Sequence, residues 1–292
     1  MTEGYQALRH GAAWIDLSER CRIIVRGRDR VRLLHNLTSN DVKKLTPGTG
    51  CYAFLLSPQG RIQADLNLFC FADHFVIDTE PELREKVLPH IRRYIIADQV
   101  ELEDVTGSTG CIGLEGPAAP ALLVSIGASV PETPYAHASW DDRIVAAVTA
   151  TGQPGARIFV PTSGSVTEII PLLESAGAKA ASADDVRVVR IENGRPRYGE
   201  DIGDTRLPQE TQQMHAINLN KGCYLGQEIV ERIRAQGHVN RKLMRIELDG
   251  SELPAPGTKT AVDGNEAEIT SAVRSPESGR VTALAYVRVP RQ

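Results

Sequence analysis

Lys221, Gly222, Cys223, Tyr224, Leu225, Gly226, Gln227 and Glu228 place a thiol, an ammonium, a carboxylate and two glycines within eight residues. Ile229-Val230-Glu231-Arg232-Ile233 follows with an amphipathic helical pattern, so Cys223 is expected just before a helix or in its first turn. The unpaired N–H groups and the dipole at that end favour an anion. Lys221 nearby adds to the effect, and both lower a thiol pKa and raise its nucleophilicity. The ordinary alternative is a buried structural cysteine. The flanking Gly, Lys, Gln and Glu are poor core material, which favours a reactive thiol.

Three further clusters carry polar groups in suggestive places. Ile62, Ala64, Leu66, Leu68 and Cys70 alternate with Gln63, Asp65, Asn67 and Phe69, the period of a strand with one polar face. Asp65 lies on that face, as a functional carboxylate or a solvated one. In Arg190-Ile191-Glu192-Asn193-Gly194-Arg195-Pro196-Arg197-Tyr198-Gly199-Glu200-Asp201, Glu192 is expected on the last turn of a helix. A carboxylate there opposes the dipole, a mild hint of function against the alternative of a surface ion pair. Arg232, Arg234, His238, Arg241 and Lys242 form a basic cluster, either a solvated face or a dock for an anionic tail such as poly-glutamate or phosphate. Walker A, GxGxxG, HExxH and nucleophile-elbow sequences are absent, and no spacing suggests a metal site.

The elements that must hold these residues read as α+β rather than regular βαβ alternation. Strands are expected over 22–26, 51–56, 62–70 and 75–79, with Ser57-Pro58-Gln59-Gly60 as a turn between the second and third. A helix opens at Pro81, with Pro89 expected to kink or split it. Shorter strands are expected over 100–105, 111–114, 144–148 and 157–160, and helices over 117–126 and 166–176. Ser182-Ala183-Asp184-Asp185 resembles a capping box before a helix that ends at Gly194. Beyond about residue 240, short strand-like runs separated by Gly and Pro suggest a small all-β domain, expected to be a barrel.

The chain has 292 residues, enough for two or three domains. Its 41% hydrophobic and 24% charged content is that of an ordinary globular protein. A net charge of -4 argues against bulk nucleic-acid binding. No apolar run is long enough for a membrane span, and the first residues carry no targeting pattern. Five cysteines without CxxC pairs favour a reducing, cytoplasmic setting. Cys21, Cys51, Cys70 and Cys111 lie in or beside apolar runs and are expected in the core.

The KGCYLGQE segment resembles the motif of the YgfZ-type folate-binding proteins, relatives of the glycine-cleavage T-protein (aminomethyltransferase). Residues 14–61, the 190–201 block, Pro208-Gln209-Glu210 and parts of 269–285 are similar to other blocks of that family. The resemblance implies two intertwined α+β subdomains over 1–205, a cysteine-motif segment and helix over 206–240, and a β-barrel over 241–292. These would surround a central channel for tetrahydrofolate or a one-carbon-substituted folate. Glu192 matches the position that recognises the pterin, whose amino group and ring N–H form a donor pair suited to one carboxylate. Tyr198 would offer a ring or a hydroxyl, and Arg232 would help with the anionic tail. Asp65 would act on the folate nitrogen, with Cys223 and Lys221 completing the reactive group. The T-protein carries two adjacent aspartates where this chain has Ala64-Asp65. The resemblance therefore implies an accessory protein supporting assembly or repair of iron–sulfur clusters in client enzymes, tRNA-modifying enzymes among them. The alternatives are a folate-dependent aminomethyl or one-carbon transferase and a plain folate-binding module. No direct nucleic-acid or membrane contact is implied, and whether a reaction is catalysed stays open.

Overall fold

A computed structural model describes residues 1–161, 166–250 and 252–290. The chain opens with α1 (Glu3–His10), β1 (Ala13–Asp16), β2 (Cys21–Arg26) and α2 (Arg30–Leu37). Then come β3 (Gly50–Leu56), β4 (Ile62–Cys70), β5 (His74–Thr79), α3 (Arg84–Arg92) and β6 (Glu101–Asp104). β7 (Gly110–Glu115), α4 (Ala119–Ser125), β8 (His137–Trp140), β9 (Arg143–Ala146), β10 (Gly155–Val160), α5 (Val166–Ser175), β11 (Lys179–Ala180) and α6 (Ala183–Glu192) follow. After two short 3₁₀ turns, α7 (Gln227–Gln236) leads to β12 (Arg241–Leu248), β13 (Lys259–Val262), β14 (Asn265–Arg274) and β15 (Val281–Arg288). The mixture is α+β, as the residue pattern predicts.

Three sheets result. One has the order β3-β4-β5-β2-β6, one β11-β1-β7-β10-β9-β8, and one β12-β15-β14-β13. The second sheet recruits β1 from the start of the chain, between β7 and β11. α1 and β1 have no counterpart in the sequence reading, although Thr2 caps α1 and Tyr5, Ala7 and Leu8 form its buried face.

β4 explains how a polar face comes to line a site. Ile62, Ala64, Leu66, Leu68 and Cys70 are all buried in the first core, together with Leu34 of α2 and Val87 and Ile91 of α3. The opposite face is not left to solvent. Phe69 meets Phe159 of β10 with ring centroids 5.4 Å apart, and Asn67 is buried beside it. The second sheet therefore covers the polar face of β4, which places Asp65 between two sheets. α3 runs through Pro89 without interruption and stops at Arg92.

The C-terminal region differs from expectation. Its four antiparallel strands form an open sheet, and β12 and β13 do not pair with each other among the described residues. The four-residue β13 pairs only with β14. Closure would need a ladder between these two strands, so this region is a sheet rather than a barrel.

Candidate functional site

A cavity of about 620 Å³ opens where the first two sheets meet α6, a size typical of small-molecule sites. β1, β3, β4, β10, α6 and the segments around 150, 196 and 214 contribute its walls. Asp65 is on that wall. The Tyr52 hydroxyl donates to its Oδ2 at 2.8 Å. Oδ1 is closed off from bulk solvent and has no hydrogen-bond partner among the described residues. Burial, reinforced by the Glu80 carboxylate, pushes Asp65 up to about 6. A carboxyl poised there can give or take a proton near neutral pH.

The floor of the cavity is an ion-pair network. The fully buried Asp78 of β5 accepts from Arg20 at 3.0 Å, from Asn67 at 2.8 Å and from Arg157 of β10. Two guanidiniums sharing one carboxylate tie the two sheets together. They also hold Asp78 below the ordinary carboxylate range despite its burial. Buried charge is tolerated only when paired in this way.

The structure brings Asp65 to the cavity and leaves the other sequence candidates outside its walls. Glu192 ends α6, as expected, but its carboxylate accepts from the Tyr5 hydroxyl of α1 at 3.0 and 3.1 Å, with Arg9 3.8 Å away. It is held on the α1 side of the helix. Tyr198 is buried between elements: its hydroxyl donates to the Gln63 carbonyl at 2.9 Å and accepts from Lys86 at 3.1 Å. Arg232 lies on α7 and pairs with Glu228 one turn earlier at 2.9 Å, both exposed. The basic cluster is dispersed by similar pairs, Arg234 with Glu231 and Arg241 with Glu268.

Lys221 is a correction of a different kind. Its ammonium is buried and donates to the carbonyls of His35, Thr38 and Asn40 at 2.5, 2.5 and 2.7 Å. It caps the C-terminal end of α2, where a cation suits the dipole, and it lies over the Tyr224 ring at 4.8 Å. Burial lowers it to about 8. Its donors are spent on backbone, so it anchors the motif rather than activating the thiol.

The rest of the motif follows from packing. Gly226 sits at φ 82°, and a Cβ there would lie 2.5 Å from the Ser57 carbonyl oxygen. Across the contact, a Cβ on Gly60 would lie 2.7 Å from that of Ile229. The β3–β4 turn and the start of α7 thus dock through their glycines. Between the Lys221 and Gly226 anchors, Gly222 and Cys223 are exposed, four residues ahead of the first helical residue. Cys21, Cys70 and Cys111 are buried and Cys51 is half-buried, which leaves Cys223 as the exposed thiol. Among the described residues, no group of three or more His, Cys, Asp or Glu is arranged to hold a metal ion. No helix there is long and apolar enough to cross a membrane.

Sequence reasoning missed Tyr52, which bonds Asp65, and Tyr135 and His215, which pack against Tyr52; it named Arg195 only within the 190–201 block. Tyr52 was hidden inside a strand reading, and Arg195 inside the turn after α6. Nothing in the local pattern around Tyr135 or His215 marks them.

Comparison with known proteins agrees with the fold. The profile of the GCVT N-terminal domain family matches residues 1–221. An aminomethyltransferase from Rubrobacter xylanophilus is 30% identical over 97% of this chain and 78% of its own length. Another from Caldanaerobacter subterraneus is 25% identical over 97% of this chain and 79% of its own. The crystal structure of the glycine cleavage system aminomethyltransferase T from Bartonella henselae superposes with a TM-score of 0.87 at 20% identity, over 98% of this chain and 81% of that one.

Proposed function

The chain belongs to the GCVT family, and from that premise we propose that it binds a reduced folate in the cavity and handles a one-carbon unit beside Asp65. Reduced folates carry such units on ring and bridge nitrogens, which need a group able to hold or release a proton. Asp65 Oδ1, buried and without a partner among the described residues, is the observation that supports this reading. The cavity volume and its mixed aromatic and cationic walls fit a folate-sized ligand. Tyr52 orients the carboxyl through Oδ2.

The reading is tested by calorimetric titration of tetrahydrofolate and by an assay of methylene transfer to or from it. Asp65→Asn is expected to keep binding within a few-fold and to lower transfer about 10²-fold or more, as loss of a general acid–base does. Absence of folate binding by the wild type would sink the proposal.

A second reading is favoured by the exposed Cys223 and by the single carboxylate in Ala64-Asp65. In it the protein is a YgfZ-type accessory factor. Folate occupies the cavity, and the thiol is presented to iron–sulfur client enzymes from a loop fixed by Lys221 and Gly226. One thiolate supplies at most one ligand, so any cluster contact would be shared with the client. Cys223→Ala should then leave folate affinity unchanged and abolish support of iron–sulfur enzymes in a deletion strain. Full support by that variant would leave the transferase reading alone.

A further inference from the structure

Residues 212–215 alternate between two hollows. Gln213 and His215 line the cavity, whereas Gln212 and Met214 line a separate groove of about 510 Å³. The groove lies where the C-terminal end of α7 meets the turn at Pro208–Thr211, the start of β12 and the chain just past β15. None of its wall residues lines the cavity.

The groove holds an unpartnered polar group. Gln209 is buried, and its Nε2 donates to the Val230 carbonyl of α7 at 2.9 Å. A carbonyl only accepts, so the amide nitrogen must face it and the amide oxygen cannot. Oε1 is shielded from solvent and has no partner among the described residues. A buried acceptor without a donor is destabilising, and an N–H from a ligand relieves it. Gln212 fixes this turn from the other side: its Nε2 donates to the Gln209 carbonyl at 2.6 Å, with its own backbone at φ 59°.

The remaining walls are apolar or basic. Met214, Leu219, Ile233 and Val239 supply the apolar surface, and Met214 is exposed. Arg234, His238 and Lys242 supply the basic groups. Arg234 is held by the Leu219 carbonyl at 3.1 Å and by Glu231 at 3.4 Å. Lys242 is exposed and has no partner among the described residues. None of the described wall residues is Asp or Glu, although acidic residues outnumber basic ones in the chain, 37 to 33. Met is enriched and acidic side chains are depleted where proteins bind one another.

We propose that this groove docks an acidic peptide segment of another protein. An apolar side chain of the segment packs on Met214, Leu219 and Ile233, a main-chain N–H reaches Gln209, and a carboxylate pairs with Lys242. A peptide carries these three groups within two or three residues. An inorganic anion would leave the apolar walls uncovered, and a hydrocarbon would leave Gln209 and Lys242 without partners. The proposal goes beyond the folate reading and stands or falls separately from it.

The test is fluorescence anisotropy on the full chain with three fluorescein-labelled peptides: Glu-Leu-Glu-Leu-Glu, Glu-Ser-Glu-Ser-Glu and Lys-Leu-Lys-Leu-Lys. The first should bind about 10-fold or more tightly than either of the others, because only it offers both buried leucine and carboxylate. Lys242→Glu should weaken it about fivefold or more, through loss of an ion pair and gain of repulsion. Gln209→Met keeps the side chain's length and removes the acceptor, and should weaken it about fivefold. Met214→Asp, at an exposed position, should also weaken it, so the test does not depend on the buried Gln209 variant folding. Lys259→Glu, exposed on β13 outside the groove, should bind like wild type. Saturating 5-formyltetrahydrofolate should leave peptide binding unchanged. No binding of the first peptide by wild type, equal binding of the first two, or equal losses in Lys242→Glu and Lys259→Glu overturns the docking site. Competition by the folate overturns it as well, by placing the peptide in the cavity.

Discussion

Asp65→Asn should make the protein more stable at pH 8 and less active. Burial raises this carboxyl from its ordinary 3.8 to about 6 in the fold. A carboxyl with a raised native pKa holds its proton more tightly when folded. As pH rises from about 4 to about 6, the unfolded chain loses that proton first, so the stability contribution falls, and the full cost is present above about 6. Two pH units at 1.36 kcal/mol each give about 3 kcal/mol as an upper limit. Asp65 is only half-buried, and screening brings the expected gain in the variant to about 2 kcal/mol at pH 8. Asparagine keeps an oxygen for the Tyr52 hydroxyl while removing the charge. Urea denaturation of both proteins at pH 4.5 and pH 8 measures the difference, provided the slopes match. The variant should gain about 2 kcal/mol at pH 8 and under about 1 kcal/mol at pH 4.5. A variant less stable than wild type at pH 8, or a gap that ignores pH, would refute the burial argument. A gain in stability with a loss of transfer is the trade-off expected of a strained functional group.

Asp78→Asn leaves Arg20 and Arg157 buried without their shared anion, and should cost about 3–5 kcal/mol by urea denaturation. Because the fold lowers Asp78, its contribution is full above the ordinary carboxyl pKa and is lost as pH falls through the depressed one, so wild type should approach the variant in acid. Gly226→Ala forces a Cβ against the Ser57 carbonyl at a positive φ. It should cost about 1–3 kcal/mol, and a melting temperature equal to wild type would count against the docking of the β3–β4 turn on α7. A thiol-reactive dye should label one cysteine rapidly in the native protein and the remaining four only on unfolding, since only Cys223 is exposed. Cys223→Ser should abolish the fast phase, and Lys221→Met should retain it in the folded fraction because that ammonium is bound to carbonyls.

Local pattern determined more of the elements than of the site. The alternation over β4 placed Ile62, Ala64, Leu66, Leu68 and Cys70 in the core. Ser182 and Asp185 form the capping box that starts α6, and the polar company of Cys223 marked the thiol that stays exposed. These properties depend on neighbours within a turn or a strand, so periodicity and capping chemistry reveal them. Where long side chains reach was decided elsewhere. Glu192 turns to Tyr5, 187 residues away in sequence, rather than to the cavity. Lys221 turns to carbonyls of α2 and its following loop. Asp65 acquires its altered acidity from burial and from the Glu80 carboxylate, neither of which its own strand supplies. The group of Tyr52, Tyr135, Arg195 and His215 exists only after four separate segments meet. Contacts of that range are set by how sheets and helices pack against one another, and a residue's own neighbours in sequence carry no trace of them.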